Sequence, residues 1–133
     1  MEFIGNVTKY GFMQQDRPVL SALVKGNEDH PELTGRVYMY FLPTGVYLQG
    51  DFDHLPPSSQ LAFHVHEGRL CNNLGEVMLT LPDLMSEEDG SATLQLCVGR
   101  ADCTQLAGRA VVLHLKSGDT ETQIACGFLN RIL

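Results

Sequence analysis

Short apolar segments, separated by Gly, Pro and Asp, recur along almost the whole chain and leave little room for anything but strands. In order they are "RPVLSALVKG", "GRVYMYFLPTG", "GVYLQGDF", "QLAFHVHEG", "GEVMLTLPDL", "GSATLQLCVG", "GRAVVLHLKSG" and "TQIACGFLNRIL". They are rich in Val, Leu, Tyr and Phe, and turn residues bound each one, which is the pattern of an all-β sandwich or barrel. No segment keeps apolar residues at i, i+3, i+4 and i+7 over three turns behind a cap. The nearest, around "LPDLMSEEDG", is short and acidic and reads as a loop. The regular pattern starts at Pro18, which predicts an N-terminal extension over residues 1–18 and one β domain over 19–133.

A chain of 133 residues can bury a core without help from a metal or a disulfide. No apolar run approaches the roughly 20 residues that a membrane helix needs, so no membrane partner is expected. The net charge of −7, from nine Lys and Arg against sixteen Asp and Glu, argues against nucleic acid as a partner. The same charge repels a small anion unless the local field is reversed. The N-terminal "MEFIGNVTKYGFMQQDRP" has no basic start followed by an apolar stretch, so a cytoplasmic protein is expected, or a secreted or periplasmic one if a signal peptide has been removed.

Two of the five histidines stand one residue apart in "LAFHVHEG". In a strand, side chains alternate between faces, so His64 and His66 project to one side and Phe63 and Val65 to the other. Two imidazoles on one face can converge on one ion. His114, in the β-branched segment "AVVLHLK", offers a third, and three neutral imidazoles suit Zn, Cu, Fe or Ni. The bland alternative is a solvated strand face that happens to carry histidines. His30, in "NEDHPE", and His54, before "LPPSSQ", read as exposed turn histidines.

The surroundings of these histidines carry more information than their spacing. "FHVHEG", "GRAVVLHL" and "IACG", in that order, resemble the copper/zinc superoxide dismutase family. The earlier "LVKG", "LTGRVYMYF" and "GVYLQGDF" look like its opening strands, and "LGEVMLTL" and "EEDGSATLQL" like its middle pair, so the resemblance covers residues 19–133. It implies an eight-stranded Greek-key β-barrel with copper held by His64, His66 and His114, which are then both the catalytic and the metal-binding residues. It also implies a disulfide between Cys71 and Cys126, and a structural role for Arg109 in holding the cysteine loop. Closing that loop restricts the unfolded chain by about 4 kcal/mol in the entropic model.

The departures from the family pattern are as informative. Where family members carry a long loop with a bridging histidine, two more zinc histidines and a zinc Asp, only "GRLCNN" stands before "LGEV", with Asn73 where the Asp is expected. No structural zinc is therefore expected. The second long loop is cut to "LKSGDTETQ", and Gln123 replaces the arginine that guides the anion. Glu67 and Glu76 are candidates to fix an imidazole tautomer, although alternation turns Glu67 away from the histidine face. Cys97 and Cys103, in "CVGRADC", either pair with each other or remain as a buried thiol and a loop thiol.

Four readings follow. The first is a copper-only superoxide dismutase acting on superoxide at the three histidines. The second keeps the copper ion as cargo, for sequestration or delivery. A third is a barrel that has lost catalysis and works through protein contacts, and the fourth is a zinc hydratase, whose three imidazoles leave an open water position. Family members commonly form homodimers, and the N-terminal segment and Asn130 near the usual contact strand leave the oligomeric state open.

Overall fold

The computed structural model describes residues 17–100 and 103–132; most of the expected N-terminal extension therefore lies outside the described residues. The strands are β1 (Leu20–Gly26), β2 (Thr34–Leu42), β3 (Gly45–Asp53), β4 (Gln60–His66), β5 (Val77–Met85), β6 (Ala92–Val98), β7 (Ala110–Ser117), β8 (Thr120–Phe128) and β9 (Asn130–Arg131). A single helical turn, α1 (Cys103–Leu106), precedes β7. Every pairing is antiparallel, and the strands follow the order β5-β4-β7-β8-β1-β2-β3-β6, with β9 returning to β1. The two ends of this path, β5 and β6, come side by side, so the sheet curls into a nearly closed barrel. The expected all-β architecture is present.

Alternation builds the core. Leu20, Ala22 and Val24 of β1, Val37 and Met39 of β2, Leu48 and Phe52 of β3, and Leu61, Phe63 and Val65 of β4 all point inward and are buried. Phe52 and Phe63 meet edge to face across the interior, with ring centroids 6.0 Å apart and planes at 84°. Phe52 needs Gly35 directly opposite it, because a Cβ at that position would collide with its ring.

The chain differs from the sequence expectation in three places. The stretch read as a loop is half strand: β5 runs through Pro82 to Met85, and loop begins at Ser86. Proline is tolerated there because β5 ends the hydrogen-bonded path and its ladder slips beside it, Leu61 facing Leu84 while Phe63 faces Leu81. The last expected segment is cut at Leu129, which is fully buried and exchanges backbone bonds with Gly108 and Arg109, leaving β9 as a separate strand. The helical turn α1 is too short to leave a periodic signal.

Candidate metal centre

Alternation along β4 gives the site its first half. Phe63 and Val65 are fully buried in the barrel, so His64 and His66 stand on its outer surface. The β4–β7 register, His64 opposite Val112 and Ala62 opposite His114, brings the third imidazole alongside. The three rings are equidistant, with each pair of centroids 5.9 Å apart. One ligand nitrogen from each lies within 4.8 Å of the others. Two nitrogens bound to one ion at about 2.0–2.1 Å can be no more than about 4 Å apart, so modest ring rotations close the set. Ala62, two residues before His64 and opposite His114, is almost fully buried.

Polar accounting singles out this cluster. Among the described residues, the buried side-chain polar atoms without a hydrogen-bond partner are His64 Nδ1, His66 Nε2 and His114 Nδ1. Leaving such atoms dry and unpaired is costly, and a metal ion is the partner that would satisfy all three together. The His66 tautomer is fixed: its Nδ1 lies 3.1 Å from the Gly75 carbonyl, which can only accept, so Nδ1 carries the proton and Nε2 keeps the lone pair. Burial, and then the neighbouring His64 and His66, hold the His114 pKa below the ordinary imidazole value against an opposing pull from Glu121. A neutral ring is the form that binds a metal.

The loop over residues 67–76 covers one side of the cluster and is fastened at every turn. Backbone bonds run from Glu67 to Glu76 and from Gly68 to Leu74, and the Ala110 amide donates to Gly68. The Cys71–Cys126 disulfide ties the loop to β8 across a sequence separation of 55. Arg109 donates from Nη1 to the Glu67 carbonyl at 2.7 Å and from Nε to the Gln105 carbonyl at 2.8 Å, a structural role in line with expectation. Gly75, at a φ of 67°, turns its carbonyl toward His66 in a conformation that costs glycine little.

The expected site residues separate clearly. His64, His66 and His114 come together; His54 lies in the connection that enters β4, whereas His66 closes that strand, and His30 is in the β1–β2 turn. The acceptor that orients His66 is the Gly75 carbonyl, a group the sequence reading missed in favour of Glu67 and Glu76; a glycine in a tight loop was the available signal. The Gln123 amide is committed to the Cys71 carbonyl at 3.1 Å. Cys97 is an exposed free thiol and Cys103 a half-buried one against the core, so they do not pair. Another missed feature is Asp83, which accepts from Lys116 at 2.7 Å and from Gln60 at 2.6 Å, and whose pKa is lowered chiefly by those bonds and slightly by His64.

No family model matches the chain, and no curated protein matches it. What fold and site define together is an all-β barrel bearing three converging histidines that could hold a metal ion on its outer wall. Among the described residues no helix is long and apolar enough to cross a membrane.

Proposed function

We propose that this protein is a copper-binding member of the superoxide dismutase-like barrels, lacking the family's zinc site, and that it dismutates superoxide to dioxygen and peroxide. The observation that carries the reading is the trio of buried, unpartnered imidazole nitrogens on His64, His66 and His114. The strand order supports it. If β5 and β6 are counted as neighbours, β7-β4-β5-β6 follow one another around the barrel, the order that a Greek key would give. The Cys71–Cys126 disulfide, which the family resemblance implies, supports it too and suits an oxidising compartment.

Three neutral imidazoles suit both oxidation states of copper, and bound copper would supply one-electron chemistry, taking an electron from one superoxide and returning it to the next. The protein's own part is to hold and orient. His66 is locked in one tautomer by Gly75. With no bridging histidine, the protons that peroxide needs come from solvent.

A second reading, copper sequestration or delivery, is favoured by the electrostatics. Gln123 offers no cation, Lys116 is neutralised by Asp83, and Glu121 stands close enough to act on His114. Pulse radiolysis of the copper-loaded chain with free copper scavenged, beside His64→Ala, separates the two. Fast superoxide removal that disappears in the variant supports the dismutase, whereas tight copper binding without turnover supports copper handling and defeats the enzyme reading.

A further inference from the structure

Beside the histidine cluster the outer wall of the barrel carries a charged network whose parts are fixed by short bonds. Leu61 and Leu115 face each other across β4 and β7, and continuing that register by one residue brings Lys116 alongside Gln60. Alternation puts Lys116 on the same outward face as His114, two residues before it. Asp83 of β5 ties the pair together: its Oδ2 accepts from the Lys116 ammonium at 2.7 Å and from the Gln60 amide at 2.6 Å. On the other side, the β7–β8 register sets Glu121 directly opposite Lys116.

The network and the cluster feel each other. The Asp83 pKa is lowered first by the bonds from Lys116 and Gln60, and His64 adds to the shift. The Lys116 pKa is raised first by the Asp83 bond, and Glu121 adds to it. No other Lys or Arg stands so close in sequence to one of the three histidines, yet this cation is flanked by two acids. Both side chains of the Lys116–Asp83 pair reach solvent, so an ammonium released from Asp83 has room to move.

We infer that Asp83 is a positioning residue for the copper site: by clamping Lys116 beside Gln60, it withholds that cation from an anion approaching the three histidines. The inference rests on the copper reading and deepens it, because it names what sets the preference of the site between a small anion and a metal cation. With the clamp closed, two acids outweigh one Lys along this row, which favours the arrival of a copper cation over that of superoxide. Asp83→Asn removes the excess and frees a compact charge on a flexible stem.

The test reads the binding of azide, an anion that ligates Cu(II), from the visible spectrum of the copper-loaded chain. Asp83→Asn should tighten azide about two- to fourfold at low salt, and the gain should shrink as ionic strength rises. Adding Lys116→Gln should remove most of that gain, whereas Lys116→Gln alone should change azide affinity little. An unchanged affinity in Asp83→Asn, or a gain that persists in full without Lys116, overturns the inference. A second measurement needs no metal: NMR of the lysine ammonium groups should find Lys116 slow to exchange with water in the metal-free chain and fast in Asp83→Asn. Equal exchange in the two overturns the clamp. A chain that binds no copper overturns the copper reading and the inference together, and metal analysis tells that outcome apart from the others.

Discussion

The two histidine groups sit on one barrel and are built in opposite ways. At the cluster, the donors belong to adjacent strands, their nitrogens are buried, and a cross-linked loop fixes the orientation of one ring. His30 and His54 instead lie on connections beside an open cleft shared with Glu32 and Asp89, and Glu32, His54 and Asp89 are exposed. Ordered strands have already met the cost of positioning the cluster during folding, whereas the long exposed side chains of the connections keep their rotamer freedom.

The largest effect that would sharpen this comparison is on copper. His114→Ala should weaken copper binding by more than about a hundredfold while His54→Ala leaves it unchanged, read by competition against a chelator of known affinity. Equal effects would erase the distinction between the groups. Next is the tether: replacing Cys71 and Cys126 with Ser should remove about 4 kcal/mol of stability in thermal or denaturant unfolding, and should weaken copper binding. Copper binding untouched by that change would show the loop to be irrelevant to the cluster.

Smaller effects follow. Gly75→Ala strains a left-handed position and moves the carbonyl that holds His66, so a loss of about 1 kcal/mol in stability and about tenfold in copper affinity is expected, read by unfolding and by competition against a chelator. The smallest concerns Asp83. Its folded pKa lies below the usual 3.8 because Lys116 and Gln60 donate to the carboxylate, so its contribution to stability is complete above that value and is lost as pH falls through the lower folded pKa. The pair is partly exposed and screened by solvent, which keeps the contribution small. Acid unfolding of Asp83→Asn should lack this component; an unchanged acid limb would mean the pair contributes nothing.

Much of the fold was legible because alternation and turn residues act locally. The eight segments correspond to β1 to β8, and Phe63 and Val65 took the inward face as their spacing required. What escaped depends on tertiary context. Pro82 sits within a strand because that strand ends the sheet path, and Leu129 breaks the final segment because it turns into the core. At the site, His64 and His66 followed from period two, whereas His114 could be placed beside them only through the family resemblance or the β4–β7 register. Gly75 left only a glycine in a tight loop, because it acts through a carbonyl, and Asp83 left no pattern, because it stands in an irregular stretch of β5. The grouping of His30 with His54 depends on three connections meeting in space, and neither turn announces it.

X-ray absorption of the chain loaded with one copper ion, beside the His114→Ala variant, tests whether His64, His66 and His114 hold copper as proposed. Three imidazole nitrogens at about 2.0 Å, falling to two in the variant, are the predicted result. Sulfur scattering, or an imidazole count that His114→Ala leaves unchanged, would contradict it.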